Sequence, residues 1–465
     1  MSRSPITRKA LEGIAILVLV VLAGSIRGIA YGDPRLSIGN GETRSYVLAS
    51  RAPLFSWKIF AGRRLFTTNL IYKLANDPGA CPLSNLSDPS GGSHARPTMQ
   101  PCFDRMALLQ NTLSILAWCA LAWVTARWMT TFPAKIGVVA VILLFGFTPQ
   151  IAEWDSVLSP ESLTVSGYVA LLALLEEIVL GVLSGTDRWG SRRNSLLVAA
   201  WLLLFTVWLF VRDVHLYALP VTVVMLGATL VVPRLRRQGV LWLAMGVLAG
   251  LFVLGYVSAQ ASQRATHYPL AHAFEDYILP FPDRAAYFQQ FGMPDRTAAS
   301  YQKWLDDNAT RTYGLFLVSH PGFILSSIGQ NLYYFRAEFV QQYYEPRGAA
   351  NRSMVLQLSE TLHPESLAVY LLDVLFIAGL WLAGYRKSKP LAWGWAWIAT
   401  WFFLASGAIL FVGFFGDAEA ARRHIYPSVE AFRLLLWILL FVYVDWMLQG
   451  LFSDSPSNAA SEPQP

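Results

Sequence analysis

The chain has 465 residues, of which 54% are hydrophobic, 14% aromatic and only 14% charged, with a mean hydropathy of +0.41. Soluble domains carry roughly 25% charged residues, so charge this sparse excludes a cytosolic enzyme, a disordered chain and a small disulfide scaffold. The net charge of +6 would suit a nucleic-acid binder, but the basic residues sort by loop, and no nucleic-acid partner is expected.

A hydrocarbon core about 30 Å thick needs about 20 apolar helical residues. Ten stretches qualify, at about 11–30, 107–126, 135–149, 162–184, 195–211, 214–232, 240–260, 367–384, 392–414 and 430–450. They predict an all-α integral membrane protein with about 10 transmembrane helices. The first stretch is too long and too Arg-flanked for a signal peptide. Two long segments separate the spans, 31–106 and 261–366. In the first, 53–75 reads as an interfacial helix. In the second, 313–335 contains His320-Pro321 and reads as interfacial or re-entrant. No internal repeat is visible.

Lys and Arg set the orientation of such a bundle. The short loops 127–135, 185–194, 233–239 and 385–391 carry eleven bases and one acid, Asp187. Loops 150–161, 212–215 and 415–429 carry three bases and six acids. The alternation holds at every loop, which places both termini in the cytoplasm of a plasma or inner membrane and both long segments outside. The expected organisation is an N-terminal transmembrane module, 1–260, carrying the first outer loop 31–106. An aromatic-rich extracytoplasmic or interfacial segment, 261–366, follows, then C-terminal transmembrane helices, 367–452, and a disordered tail, 453–465.

Cys81 and Cys102 lie in the first outer loop, in a stretch rich in Pro, Gly and Ser. An exported loop is oxidising, so a disulfide between them is expected. Cys119 falls within the second span and reads as packing, and no Cys/His spacing suggests zinc.

Four polar clusters stand at the outer edges, where a charge is costly unless paired or functional. Asp33 follows the first span. Glu42 sits in Gly39-Asn40-Gly41-Glu42-Thr43-Arg44-Ser45-Tyr46, a glycine-rich turn that lets the backbone approach a ligand. Either carboxylate suits a general base towards an acceptor hydroxyl, and either equally suits a cap or a solvated turn. Next come Glu153, Asp155 and Glu161. Ser159-Pro160-Glu161 has the form of an N-cap, a first-turn proline and a first-turn acid. A second acid here also suits a site that handles a hydroxyl or a divalent metal ion; no other cofactor is implied. Arg212-Asp213-Val214-His215 is either a plain polar turn or an arginine that holds a phosphate. Asp417 and Glu419 with Arg422, Arg423 and His424 form the densest set, either a mutually paired network or a phosphate-and-sugar site. Arg63 and Arg64, near Thr67 and Asn69, fall on the interfacial stretch, where bases meet headgroups. Glu176 and Glu177 lie well inside the fourth span with no evident function.

No G-x-x-x-x-G-K-[ST] run is present, and no cytoplasmic loop is long enough for a nucleotide-sugar domain. A group transferred outside must arrive already activated, on a lipid phosphate.

With these residues, the layout resembles the GT-C superfamily of polytopic glycosyltransferases, which use polyprenyl-phosphate-linked sugars. The shared features are a first span, a long outer loop with an early acid, an acid-bearing second outer loop and several further spans. Gly41-Glu42-Thr43-Arg44-Ser45-Tyr46 looks like a Gly-Asp-Ser-x-x-Tyr pattern of uncharacterised bacterial members, with Glu for Asp; Asp33 is the alternative match. Arg64-Leu65-Phe66-Thr67, Ser159-Pro160-Glu161-Ser162-Leu163, Arg212-Asp213 and Asp417-x-Glu419 with Arg423-His424 also look like that branch. The resemblance implies hexosyl or pentosyl transfer from a polyprenyl-phosphate donor to a glycan, lipid or protein acceptor, outside, amid membrane lipids. It would make Asp33 or Glu42 the base. Asp155 and Glu161 would orient the acceptor or a metal. Arg212, Arg423 and His424 would face the donor phosphate, with Arg64, Asp213, Asp417 and Glu419 as further candidates. The segment 261–366 would cover the cleft.

Two rivals share the membrane setting. A transporter or flippase for lipid-linked glycans expects charges along a midplane path and inverted repeats; Glu176, Glu177 and Asp373 lie inside spans, but no repeat is visible. A polymerase or ligase of lipid-linked glycans would gather its Arg and His in one late outer loop, whereas here polar groups are spread over four edges.

Overall fold

A computed structural model describes residues 5–86, 98–267, 269–337, 339–341, 349–387, 389–418 and 421–453. The candidate Glu419 and the predicted tail beyond Ser453 lie outside the described residues.

Among the described residues the chain is almost wholly helical. Eight helices are long and apolar enough to cross a membrane: Glu12–Tyr31, Pro101–Trp128, Glu161–Leu183, Arg192–Leu209, Gly239–Ala261, Ala368–Arg386, Pro390–Phe415 and Ala421–Gly450. The pair Phe132–Gly146 and Pro149–Ser156, bent by 49°, is either a ninth, broken span or a re-entrant loop. The bend has a local cause. Pro149 lacks an N–H and disfavours a helical residue before it, so Thr148 is extended and the helix stops and restarts.

The predicted span 214–232 comes out shorter than expected. It opens as a tight turn, Asp213–Tyr217, and continues as a twelve-residue helix, Ala218–Thr229. At 1.5 Å per residue that helix covers only about 18 Å. The predicted break at His320-Pro321 falls between Thr310–Ser319 and Pro321–Gln330. The stretch 53–75 is likewise two helices, Trp57–Phe60 and Phe66–Ala75.

Burial identifies the centre of the bundle. Some 67% of the apolar window of Glu161–Leu183 is buried, against 17% for Glu12–Tyr31 and 22% for Gly239–Ala261. The peripheral helices therefore present apolar side chains outward, as lipid contact requires. Around the central helix Tyr168 stacks on Trp208 at 5.0 Å and on Phe402 at 4.5 Å. Such ring pairs add about 0.5–1.5 kcal/mol each beyond area burial.

At one end of the bundle several charges are paired between helices. Arg127 meets Glu177 at 2.8 Å, and Arg193 reaches both Glu177 and Asp187. Thr125 donates to Glu176 at 2.8 Å. Glu176 and Glu177 thus tie the central helix to its neighbours. Asp445 accepts the backbone N–H groups of Thr130 and Thr131, at 3.1 and 2.7 Å. It thereby caps the start of Phe132–Gly146 from the last span.

The two long segments gather at the opposite end. In the first, Ile38–Gly39 pairs antiparallel with Thr98–Met99, and a disulfide joins Cys81 to Cys102 across 5.6 Å between Cα atoms. In the second, Phe274, Phe288, Trp304, Tyr313 and Phe316 form a core of their own against Phe414, Phe415 and Ile425. Those aromatic rings pack chiefly on one another.

Candidate functional site

The site is assembled by backbone before any charge meets. Ile38 bridges Val157 in parallel, and Leu158 N–H donates to Ile38 O at 2.8 Å. Thr43 Oγ1 donates to Leu158 O at 3.0 Å. The first outer loop is therefore laid directly on the turn that starts the central helix. Gly39 permits the close approach, since a Cβ there would lie 2.9 Å from Gln100 Nε2. Asn40 Oδ1 then accepts Glu42 N–H at 2.9 Å, and Glu42 takes the N-cap position of Thr43–Ser50.

The central helix begins one residue later than the sequence pattern suggested. Pro160 is the N-cap, Glu161 the first helical residue, and Ser159 caps nothing. Glu161 is instead fully buried and its Oε1 accepts Arg423 Nε at 2.5 Å, with Arg212 Nη1 at 3.5 Å. Arg423 Nη2 turns to Glu42 Oε2 at 3.2 Å. Arg64 approaches the same oxygen at 3.9 Å, and Tyr46 OH donates to it at 2.9 Å. Arg64 is itself held by Ser45 Oγ, by Tyr46 OH at 3.2 Å and by the Tyr46 ring at 4.1 Å. The tight turn before it needs Gly62, whose Cβ would strike Lys58 O at 2.2 Å.

Five predicted residues from four chain segments thus converge: Arg64, Arg212 and Arg423 with Glu42 and Glu161. Three guanidinium groups against two carboxylates leave one positive charge in surplus. Arg212 Nη1 and Glu161 Oε2 are buried without a hydrogen-bond partner among the described residues. Glu42 is the open edge of the cluster, its side chain 40% exposed against 8% for Arg423 and 0% for Glu161. Burial would push the Glu42 carboxyl up, but Arg423 and then Arg64 outweigh it and hold the group below its ordinary range. Burial, and then Glu42, pushes the Tyr46 phenol well up, so Tyr46 stays a donor.

The other candidates lie in adjoining networks. Asp417 joins His272 Nδ1 at 3.1 Å to His424 Nδ1 at 3.4 Å, beside Arg423. Asp213 accepts Arg264 Nε at 3.1 Å, and Arg264 Nη1 donates to Gly62 O at 3.1 Å. That pair links the turn carrying Arg212 to the turn carrying Arg64. Asp155 faces the other way: it is buried, meets Arg27 Nη2 at 2.5 Å and accepts from Ser162. Asp33 is exposed and accepts Arg35 N–H at 2.9 Å in a turn.

Sequence reasoning missed His272 and a second buried network. His363 Nδ1 meets Glu430 Oε2 at 2.5 Å, Arg433 Nη1 donates to Glu430 Oε1 at 2.6 Å, and His363 Nε2 pairs with Thr148 at 2.9 Å. Glu430 and Arg433 stand three apart within the apolar run of the last span, a signal that the spacing itself carries. Among the described residues no group of three His, Cys, Asp or Glu is placed to hold a metal ion. Glu42, Asp155 and Glu161 each already face a guanidinium, a donor set that does not fit a divalent cation.

No protein-family model matches the chain, and no curated protein sequence matches it. Solved structures of an archaeal oligosaccharyltransferase are similar. AglB from Archaeoglobus fulgidus, in complex with an inhibitory peptide and a dolichol-phosphate, has a TM-score of 0.47 and 11% identity over 98% of this chain and 53% of its own. The Archaeoglobus fulgidus oligosaccharyltransferase with zinc and sulfate gives 0.43 and 11%, over 95% of this chain and 52% of that one. The same enzyme tethered to an acceptor peptide gives 0.46 and 10%, over 98% and 52%. The chain spans about half the length of these proteins. At 10–11% identity the likeness carries no residue role to this chain.

Proposed function

We propose that the chain is a membrane glycosyltransferase that moves a sugar from a polyprenyl-phosphate donor to an acceptor hydroxyl or amide at the extracytoplasmic face. The observation that carries this reading is the surplus charge of the Arg64, Arg212 and Arg423 cluster, in which the buried Arg212 Nη1 makes no hydrogen bond and meets Glu161 only at 3.5 Å. Arginine binds phosphate through paired N–H groups. A buried cluster with one arginine more than its carboxylates has room for one further anion. The sequence resemblance to polyprenyl-phosphate-dependent enzymes points to the same ligand.

The chemistry needs four events. The acceptor loses a proton to a base. Its freed pair attacks the anomeric carbon. The bond from that carbon to the phosphate oxygen breaks. The phosphate leaves with the bonding electrons. Arg212 and Arg423 stabilise the charge developing on the leaving phosphate, with His424 beside them. Glu42 is the base of choice because it borders the arginines and is the exposed member of the cluster. Its basicity is low while Arg423 and Arg64 hold it. A phosphate that draws Arg423 away raises it, so the base strengthens when donor is bound. Glu161 positions Arg423 and Arg212, and Asp155 braces the first span against the turn before the central helix.

The test is release of polyprenyl phosphate by purified protein across a panel of polyprenyl-phosphate sugars. Acceptor-dependent release with at least one donor supports the reading; intact donors throughout the panel, with protein that binds polyprenyl phosphate, refute it.

A further inference from the structure

The central helix ends, at Leu183, in a region that the transferase reading does not use. Here the turn after Val182 and the short helix Pro233–Arg236 wall a cavity of about 580 Å³, within the size range of small-ligand sites. Arg188, Arg234 and Arg237 line it, with Trp189 and Gln238.

Only part of the positive charge at this end is paired. Arg127 and Arg193 are matched by Glu177 and Asp187. Asp187 is the acid in the cavity wall, and its oxygens are already taken by Arg193, Ser191 and Arg188 N–H. The guanidinium groups of Arg188, Arg234 and Arg237 meet no carboxylate among the described residues. Three arginines whose guanidinium groups pair with no carboxylate among the described residues therefore line one concavity. Loop charges that merely set orientation need not converge on anything.

The rim selects the kind of anion. Leu183, Val231 and Val232, within two residues of the lining residues Val182 and Pro233, are 37%, 84% and 48% exposed. An apolar, exposed rim beside a tri-arginine pocket suits a molecule with an anionic head and a hydrocarbon tail better than a free anion. We infer that this cleft binds the headgroup of an anionic phospholipid, with its acyl chains along Val231, Val232 and Leu183.

The experiment uses the full-length protein in detergent and counts bound lipid by native mass spectrometry. The probes are phosphatidylglycerol and phosphatidylcholine, each with and without millimolar inorganic phosphate. The variants are Arg188→Gln, Arg234→Gln and Arg237→Gln, singly and together. The control is Arg192→Gln with Arg236→Gln, which removes two charges at the same end but outside the cavity lining. Phosphatidylglycerol should bind in preference to phosphatidylcholine, weaken roughly fivefold for each cavity arginine removed, and resist inorganic phosphate. The control should bind like wild type. Equal binding of the two lipids, an equal loss in the control, or displacement by inorganic phosphate would overturn the inference. Single variants that keep the wild-type elution profile separate lost binding from lost folding.

Discussion

Glu42 is a carboxylate whose partners set its chemistry. Held below 4.5 by Arg423 and Arg64, it stays ionised through the neutral range. Its ion pairs support the site above the ordinary carboxylate range and are lost as pH falls through the depressed value. The kcat/KM profile, which reports free enzyme, should keep its acid limb below pH 4.5. The kcat profile, which reports the donor complex, should show that limb moved upward, because bound phosphate relaxes the pull of Arg423. Coincident limbs would argue against Glu42 as the base. Asp33→Asn should change transfer by less than about twofold, since Asp33 only caps an exposed turn. Asp373 tests a different kind of residue: it is fully buried, and neither carboxylate oxygen has a partner among the described residues. An unpaired buried acid costs stability, so Asp373→Leu should melt at or above the wild-type temperature; a large loss would mean that the acid has an undetected partner. The site residues legible in the sequence were those where charge is dense at an outer edge, such as Arg423 and Glu42. His272 stood in no charged run, and Glu430 and Arg433 were hidden by the apolar residues around them.

At the scale of elements, the first outer loop is held by a strand pair only two residues long and one disulfide. Closing a loop of this size stabilises by about 3 kcal/mol in the chain-entropy view. Cys81→Ser with Cys102→Ser should therefore speed hydrogen exchange around 66–106 and slow transfer, while the exchange of Glu161–Leu183 stays unchanged. The His363, Glu430 and Arg433 network clamps the bend at Thr148 to the last span. Glu430→Ala strands Arg433 in the interior and should cost about 3–5 kcal/mol, read as a fall in melting temperature. Helix existence was legible throughout, because runs of about 20 apolar residues leave little choice in lipid. Helix detail was less so. The predicted stretch 135–149 stopped at Pro149 without showing the bend, and Thr222 in Ala218–Thr229 accepts from Trp401 Nε1 at 3.0 Å. No local pattern reports that contact.

At the scale of the molecule, the net charge of +6 divides between two ends with different uses. One end pairs some of its charges and leaves a basic cleft; the other gathers three arginines around two carboxylates. The proposed sidedness puts the second end outside. Ser56→Cys should then react with an impermeant maleimide in intact cells, and Ser184→Cys only after permeabilisation; the reverse pattern would invert the topology.

The central claim is that the buried arginines hold the donor phosphate while Glu42 takes the acceptor proton. One variant separates the two roles. Glu42→Gln removes the base and a competitor for Arg423 but leaves every arginine in place. Binding of polyprenyl phosphate and the rate of sugar transfer should be measured on the same preparation. The account predicts binding equal to or tighter than wild type, which also certifies the fold, with transfer slowed about 10²–10⁴-fold. Transfer at the wild-type rate with binding intact would contradict it.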